Sequence, residues 1–347
     1  MELKEIVAKL ISIDSVSGKE KQACIWASNF LSDNGFSVEL QEVGKDRWNV
    51  FAKKGSPKAI FFGHLDTVPA VSGWTKKPFS VTHEGDRAYG LGTWDMKGAV
   101  SAMLYAAQQA KNMGILLTVD EEQEGLGVLN AVQNRKFFDN IKLLVSGEAG
   151  NTQTTYAGIG HVGVGRKGWK GYVITKRLEG GHAATSGNDW VEWLYNAVSG
   201  PKKSKSRIII RNFHATSKGF SVPDFAQADI DVIVEPEERD FDFKKEISGL
   251  FKLENGSIEE QKAEYPPYSF AKSPEIANVA RIVKEFTEPR LIIGDSVADE
   301  NVFAAKLGIP IAIMGPEGRN EHHADEWVSL KSLNEMAALY KRIADSY

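Results

Sequence analysis

Short apolar runs alternate with longer amphipathic ones through the first half of this chain, and this alternation constrains its fold more than any other feature. The short runs have the length of buried strands and are AIFFGHLD (59–66), GILLTVD (114–120) and IKLLVSGE (141–148). Helical periodicity fills the intervals between them, at 96–112 and 127–138. Strands that alternate with helices form sheets of largely parallel strands covered by those helices. The sequence therefore predicts an α/β fold with a mostly parallel sheet flanked by helices.

The chain from residue 165 to residue 262 has a different texture, with more strand-like runs and fewer long helices. The first pattern resumes after it, with helices at 273–287, 299–308 and 330–347 and a strand at 309–315. This order predicts a main domain formed by 1–164 and 263–347, with a smaller α+β domain, 165–262, inserted into it. The segment EYPPYSF (264–270) is the expected return crossing, because paired prolines interrupt regular structure.

The charge and the apolar distribution exclude several classes of partner. A net charge of -4 and a pI near 6.0 leave no excess of basic residues to neutralise a nucleic acid or an anionic membrane. No apolar run reaches the length of a membrane span, and MELKEIVAKLISI has the spacing of an amphipathic helix, unlike a signal peptide. Cys24 is the one cysteine, which fits a reducing compartment. These features predict a soluble cytoplasmic protein that binds neither nucleic acid nor membrane.

Side chains that bind metals follow the ends of several predicted strands. They are His64 and Asp66 after the first, Asp120, Glu121 and Glu122 after the second, Glu148 after the third, and His322 and His323 after the last. Asp95 adds a carboxylate where a long helix begins. Because the carboxyl ends of parallel strands meet at one edge of a sheet, we expect these side chains to converge there.

The residue types point to a catalytic metal site. Imidazoles with carboxylates and without thiolates suit zinc or a similar divalent ion that retains an open coordination position. The ligands are too many for one tetrahedral ion, so two ions about 3.5 to 4 Å apart, sharing a bridging carboxylate, account for them better. One carboxylate must then stay off the metals to accept a proton from water, and Glu121 and Glu122 can divide those roles. The chain carries none of the zincin, serine hydrolase or P-loop motifs.

Five motifs together resemble those of a known enzyme family. GHLDTVP, GLGTWDMKGA, VDEEQEG, SGEAG and HHADEW are similar, in this order, to motifs of the co-catalytic zinc amidohydrolases and exopeptidases. That family includes acetylornithine deacetylase, succinyl-diaminopimelate desuccinylase, aminoacylase and glutamate carboxypeptidase. The resemblance spans nearly the whole chain. It implies the zinc exopeptidase fold, in which 1–164 and 263–347 form the catalytic di-metal domain and 165–262 forms a lid and dimerisation domain.

The resemblance also implies a role for each residue of these motifs. Two divalent ions are expected, Zn²⁺ or alternatively Co²⁺. The implied roles are His64 and Glu148 on the first ion, Glu122 and His322 on the second, Asp95 bridging both, Asp66 orienting His64, and Glu121 as general base. His322 is chosen over the adjacent His323 because the family has a glutamate four positions after the ligand.

The inserted domain contributes further expectations of the same kind. In LEGGHAAT, His182 resembles the histidine that stabilises the oxyanion, often in the partner subunit of a homodimer. Arg166, Asp299 and Asn301 resemble positions that face the substrate. Two positions depart from the family: Phe220 replaces an asparagine, and Ile233 or Val234 replaces an arginine. Both family residues usually help to hold the substrate's carboxylate or the oxyanion.

The expected reaction is hydrolysis of the amide bond of an N-acyl amino acid, such as acetylornithine, acetylcitrulline or acetyl-lysine, by metal-activated water with Glu121 as base. Biosynthesis of arginine or lysine is the implied setting. Three alternatives stay open: a dipeptidase or carboxypeptidase, a hydrolase that releases lysine or ornithine from an acidic amino-group carrier protein, and a metal-binding protein without turnover. For the carrier protein, the basic run SGPKKSKSR (199–207) would supply the docking surface.

Overall fold

The structure is a computed structural model of the 347-residue chain. It describes residues 1–148, 158–177, 180–185, 190–217, 219–253, 256–261 and 265–347. The chain divides into two compact units, the first formed by residues 1–166 with 269–347 and the second by residues 167–268. Residues 149 and 150 of the SGEAG motif, and 262 to 264 at the expected return crossing, lie outside the described residues.

The helices of the described residues are α1 (Leu3–Ile11), α2 (Lys21–Asp33), α3 (Lys97–Gln109), α4 (Leu126–Ala131), α5 (Trp190–Ser199), α6 (Phe243–Leu250), α7 (Pro274–Val283), α8 (Asp299–Leu307) and α9 (Leu330–Ala344). The strands are β1 (Ser37–Gly44), β2 (Arg47–Lys54), β3 (Ala59–His64), β4 (Thr82–Glu84), β5 (Arg87–Tyr89), β6 (Met113–Thr118), β7 (Leu143–Ser146), β8 (His161–Arg166), β9 (Gly168–Arg177), β10 (Gly181–His182), β11 (Arg207–Ala215), β12 (Ser221–Val222), β13 (Phe225–Val234), β14 (Gly256–Glu260), β15 (Tyr268–Ser269), β16 (Arg290–Gly294), β17 (Ile311–Ile313), β18 (Gly318–Arg319) and β19 (Trp327–Ser329). Within this described part of the chain, no helix has both the length and the apolar character that crossing a membrane requires.

The first unit is organised by a mixed sheet with a parallel centre. Its strands run in the order β1-β2-β6-β3-β7-β17-β8, and β16 pairs with β8. The contacts β6-β3, β3-β7 and β7-β17 are parallel, whereas β1-β2, β2-β6 and β17-β8 are antiparallel. Every residue of β3, β6 and β7 is buried, as continuous apolar strands covered on both faces should be. The predicted α/β fold with a mainly parallel sheet is confirmed.

Helices cover the faces of this sheet through their apolar stripes. Helix α1 lies in the segment with amphipathic spacing, MELKEIVAKLISI, and the apolar residues at that spacing are all buried: Leu3, Ile6, Val7, Leu10 and Ile11. Helix α3 packs against α1 and α9, and its side chains are buried around most of its circumference. The predicted helix over 127–138 is instead two pieces, α4 and a 3₁₀ turn at Arg135–Phe138, because Asn134 leaves the helical conformation.

The second unit has a separate core and a different architecture. Its main sheet has the order β11-β13-β9-β14 with antiparallel neighbours. Strand β13 alternates strictly between buried and half-buried residues, so only one face of this sheet enters the core. That face packs with Phe243, Ile247 and Phe251, from α6 and the residue after it. This unit is therefore an α+β arrangement of helices on one side of an antiparallel sheet.

One carboxylate joins two segments of the second unit. Glu238 accepts hydrogen bonds from the hydroxyls of Ser204 and Ser206, both at 2.6 Å, and from the backbone N–H groups of Lys205 and Ser206 at 2.8 and 2.9 Å. Burial opposes the charge of this carboxylate, but these hydrogen bonds outweigh it and lower the pKa of Glu238 to about 2. The ionised side chain therefore fastens the loop before β11 to the turn after β13.

We expect Glu238→Gln to lower the free energy of unfolding at pH 7 by about 1 to 2 kcal/mol, because an amide cannot accept all four hydrogen bonds. The folded-state pKa of about 2 lies below the ordinary 4.5, so the contribution is complete above pH 4.5 and is lost as the pH falls towards 2. The difference from the unmodified protein should thus shrink over that range, as measured by urea unfolding at pH 7 and pH 3. Glu237→Gln, at the exposed neighbouring position, is the control. A difference that is independent of pH would contradict this account.

Candidate metal centre

A single carboxylate, that of Asp95, lies between two imidazoles. Its Oδ1 atom is 3.1 Å from His64 Nε2, and its Oδ2 atom is 3.2 Å from His322 Nε2. His64 is the last residue of β3, whereas Asp95 lies in the loop that leads into α3 and His322 lies in the loop before β19. The Asp95-Met96 peptide bond is cis. Three distant parts of the sequence thus meet at one carboxylate.

Each imidazole has a second carboxylate beside it. His64 Nε2 is 3.3 Å from Glu148 Oε1, and His322 Nε2 is 3.0 Å from Glu122 Oε2. The potential ligand atoms of His64, Asp95 and Glu148 all lie within 4.8 Å of one another, and so do those of Asp95, Glu122 and His322. Asp95 is the member that the two groups share. The structure therefore brings together five of the residues predicted to converge: His64, Asp95, Glu122, Glu148 and His322.

The hydrogen-bond pattern of His64 shows why a cation fits this site. His64 Nδ1 lies 3.0 Å from the backbone oxygen of Asp66, which can only accept, so Nδ1 carries the proton. Nε2 faces two carboxylates, which favour a positive charge there. Burial opposes the charge of the ring, but hydrogen bonds with Asp66, Asp95 and Glu148 raise the pKa of His64 well above its ordinary value. At His322, hydrogen bonds with Asp95 and Glu122 raise the pKa to about 11. Two positive charges would resolve both contacts, and imidazole with carboxylate oxygens is a donor set that zinc or cobalt accepts.

Crowding of negative charge perturbs the carboxylates further. Burial raises the pKa of Glu121 well above its ordinary value; the attraction of His64 opposes that shift, and repulsion from Glu148, Asp299 and Glu122 adds to it. Burial and repulsion from Asp95 likewise raise the pKa of Glu148 to about 7. Asp95 shows the opposite shift: burial opposes its charge, but hydrogen bonds from His322 and His64 lower its pKa. Cations at this position would relieve the repulsion among the carboxylates.

Asp66 holds the backbone of the neighbouring loop. Its Oδ1 and Oδ2 atoms accept the backbone N–H groups of Glu121 and Glu122, each at 3.2 Å, and Oδ2 also accepts the Ser17 hydroxyl at 2.7 Å. Its Oδ1 atom is 3.5 Å from His64 Nδ1, which is farther than the backbone oxygen of the same residue. Asp66 thus orients His64 chiefly through its carbonyl, while its carboxylate positions the two glutamates.

Two neighbours of these residues point elsewhere. His323 Nδ1 lies 2.6 Å from the backbone oxygen of Glu321, and its exposed side chain belongs to none of the three potential ligand groups of the described residues. Asp120 accepts hydrogen bonds from Arg47 at 2.5 Å and from the Leu126 backbone N–H at 3.1 Å. It therefore closes the turn that precedes α4, at a positive φ of 68°.

The three predicted substrate contacts in the first unit all bond to protein groups. Arg166 is buried, with Nε 3.0 Å from Glu300 Oε2 and Nη1 2.7 Å from Ser296 Oγ. Asp299 accepts a hydrogen bond from the Thr118 hydroxyl at 3.1 Å, and burial raises its pKa well above the ordinary value. Asn301 Oδ1 accepts the Ala298 backbone N–H at 3.1 Å at the start of α8.

His182 lies in the second unit, on the short strand β10, and its side chain is exposed. Its Nδ1 atom accepts the Ala184 backbone N–H at 3.2 Å. The neutral ring therefore carries its proton on Nε2, which is left as a hydrogen-bond donor. Phe220 stacks on this ring, with 6.0 Å between the ring centroids and an angle of 28° between the planes.

Sequence reasoning did not identify the residue that positions Asp95. Glu326 is buried and accepts the backbone N–H groups of Gly92 and Trp94, both at 2.7 Å, and that of Asp95 at 2.9 Å. Burial raises the pKa of Glu326 to about 8, although these hydrogen bonds oppose that shift. In the sequence, Glu326 was marked only by its position four residues after His322, and that spacing was used only to choose between His322 and His323 as a metal ligand. Ser17, which contacts Asp66, left no such signal.

Comparisons with known proteins identify a matching family profile and proteins of the same fold. The profile of peptidase family M20/M25/M40 matches residues 60–346. An acetylornithine deacetylase from Vibrio cholerae is 29% identical over 238 residues, which cover 63% of this chain. The chain spans 59% of that relative's own length. The aminopeptidase PepT from Bacillus cereus shares the fold with a TM-score of 0.83 and 18% identity, covering 99% of this chain and 97% of that one. A dinuclear metal-binding peptidase from Bacillus subtilis does so with a TM-score of 0.72 and 14% identity, over 99% and 96%.

We expect Glu326→Gln to weaken metal retention about 10- to 100-fold, the usual cost of disturbing a group that positions a ligand. The glutamine must direct its NH₂ group at one of three backbone N–H donors, which displaces the loop that bears Asp95. A chromogenic chelator measures the retention. Asp325→Asn is the matched control, because Asp325 also accepts backbone N–H groups, but from Thr75 and Lys76. Unchanged metal retention in Glu326→Gln would limit Glu326 to a packing role.

Proposed function

This chain belongs to peptidase family M20/M25/M40, and from that premise we propose that it hydrolyses the amide bond of an N-acyl amino acid with two bound divalent metal ions. The family match confirms the resemblance found in the sequence motifs. The observation that carries the proposal is the position of Asp95, whose two oxygens face two separate histidine and glutamate pairs. The similarity to an acetylornithine deacetylase supports the acyl amino acid as substrate, in arginine or lysine biosynthesis.

The ligands divide into two sets around the shared carboxylate. His64 and Glu148 would hold the first ion, Glu122 and His322 the second, and Asp95 both. We propose zinc, with cobalt as the alternative, because the donors are imidazole nitrogens and carboxylate oxygens. When bound, the ions would lower the pKa of the attacking water and polarise the amide carbonyl. The dinuclear peptidase of the same fold is in keeping with this assignment.

Glu121 would move the proton. Its backbone N–H is held by Asp66 at 3.2 Å, next to Glu122. Glu121 belongs to neither group of ligands that contains Asp95, although its carboxylate lies close enough to His64 and Glu122 to form a third group with them. A free carboxylate at this place would accept a proton from the attacking water and deliver it to the leaving amine. A protein that only bound metal would have no use for such a group.

His182 would donate a hydrogen bond to the oxyanion of the substrate. The bond from Ala184 to Nδ1 leaves the proton of the neutral ring on Nε2, where a donor is required. The stacked Phe220 ring restrains the imidazole plane. This role, and a homodimer formed through the second unit, rest on the resemblance.

The first experiment is a substrate panel with metal-stripped protein. We expect no release of primary amine without metal, and release from an N-acetyl amino acid after zinc or cobalt is added. N-succinyl amino acids, dipeptides and tripeptides complete the panel. Cleavage of peptides alone would replace the proposal with a peptidase. Bound metal without turnover of any compound would contradict it, and an acidic carrier protein bearing the amino acid would then be the next substrate to assay.

Glu121→Gln tests the proton transfer separately from metal binding. We expect kcat to fall about 10² to 10⁴-fold, because the amide cannot accept a proton, while two metal ions per chain are retained. Glu124→Gln, an exposed position of the same loop, is the control and should keep full activity. Full activity in Glu121→Gln would assign the base to another residue, and loss of metal would make Glu121 a ligand.

A further inference from the structure

A groove in the second unit uses no residue assigned to the metal centre, and part of its lining comes from the basic run SGPKKSKSR (199–207). It has a volume of about 710 Å³, within the range typical of small-molecule sites. It lies between helix α6 and the loop that follows α5, and we call it the α6 groove. Among its lining residues are Lys203, Phe241, Lys245, Gly249, Leu250 and Lys252.

The α6 groove presents positive charge. Lys203, Lys245 and Lys252 line it, and none forms an ion pair within the part of the chain that the structure describes. Each carboxylate of the groove has one oxygen engaged with backbone N–H groups. Asp242 Oδ1 accepts that of Lys245 at 2.9 Å, and Glu246 Oε1 accepts those of Lys203 and Ser204 at 2.6 and 3.2 Å. Glu246 Oε2 is buried without a hydrogen-bond partner in the described part of the chain. The three lysines outnumber the two carboxylates, and none of them would have to leave an ion pair to meet an anion.

One wall of the groove is apolar and firmly held. Phe241 packs against Phe243 with 4.9 Å between their ring centroids, and Phe243 is fully buried in the core of the unit. Leu250 extends the same apolar lining from the last residue of α6. The wall suits a ligand with an apolar body, since contact would remove apolar surface from water on both sides.

At this groove, Gly249 in α6 and Lys252 just after it are residue types that are disfavoured at their positions in or beside a helix. Gly249 lies in the last turn, where glycine costs up to about 1 kcal/mol relative to alanine. A Cβ atom at this position would meet nothing within 4 Å, so packing does not require glycine. Lys252 has φ of 45° just after the helix, in the left-handed region where glycine is preferred. Local departures of this kind are expected where function selects the residue.

We propose that the α6 groove binds a small organic anion, whose apolar body packs on Phe241 and Leu250 and whose carboxylate, sulfonate or phosphate group faces Lys203, Lys245 and Lys252. Gly249 leaves room for the body of the ligand, and Lys252 supplies charge at the cost of local strain. This site is additional to the proposed hydrolytic centre and uses none of its residues.

The probe is 8-anilinonaphthalene-1-sulfonate, an aromatic sulfonate whose fluorescence rises in apolar surroundings, titrated into the full-length, metal-loaded protein. We expect Lys252→Gly to weaken binding about three- to fivefold, as for one ion pair at a partly exposed site. The same variant should raise the melting temperature, because glycine relieves the left-handed strain. Lys244→Ala, with the same change of charge at an exposed position of α6 outside the lining, should bind the probe as the unmodified protein does.

Two substitutions at Gly249 test whether the probe occupies the volume of the α6 groove. Gly249→Ala adds only a methyl group and should preserve binding, whereas Gly249→Leu should fill the groove and weaken binding more than about tenfold, as a blocked pocket does. Both substitutions favour the helical conformation, so reduced binding cannot be attributed to unfolding.

Competition identifies the anionic group. Phenylacetate and phenyl phosphate offer the same ring with a carboxylate or a phosphate, and neither contains an amide bond that the metal centre could cleave. The stronger competitor shows which group the lysines select. Inorganic phosphate and phenethylamine should not displace the probe, because each lacks one of the two required parts. Equal binding of the probe to the unmodified protein, Lys252→Gly and Gly249→Leu would overturn the proposal, and so would failure of both aromatic anions to compete.

Discussion

Convergence of carboxylates on two imidazoles around Asp95 is the interaction on which the rest of the first unit depends. Carboxylate oxygens lie 3.0 to 3.3 Å from imidazole nitrogens there, and hydrogen bonds with the carboxylates raise the pKa of both imidazoles. Repulsion among the carboxylates themselves opposes the arrangement in a partly desolvated place. The arrangement persists because the surrounding backbone holds each ligand, and it becomes favourable once cations occupy it.

Backbone contacts made by two further carboxylates give the site its rigidity. Glu326 collects three N–H groups from the loop that carries Asp95, and Asp66 collects those of Glu121 and Glu122. Because these bonds act on the main chain, the positions of the ligands depend little on freely rotating side chains. The second unit uses the same means: Glu238 and Glu246 accept N–H groups of the loop at 203–206. A loop fixed in this way can form one wall of a binding groove.

Much of the fold was predictable because its signals are local. The buried strands β3, β6 and β7 are uninterrupted apolar runs, and α1 shows its core stripe in the spacing of five residues. The antiparallel pair β1-β2 had no comparable signal, since β1 is half-buried or exposed throughout. The end of α4 was also missed, because a change of one backbone angle near Asn134 leaves no mark in the apolar periodicity.

The same distinction between local and long-range signals applies to the candidate site. The kinds of residue that follow each strand, and the edge at which parallel strands end, are set by the order of the chain, so the convergence of His64, Asp95, Glu122 and Glu148 was foreseeable. Which atom faces which partner was not, because that depends on contacts between segments up to 234 residues apart, such as the bond from Gly92 to Glu326. The family spacing favoured His322 over His323, but only the folded chain shows the contact of His322 with Asp95 and that of His323 with Glu321. Only the folded chain also shows that Asp120 turns away to Arg47. Neighbours in sequence are chemically alike at these positions, and the backbone angles of the assembled loops decide between them.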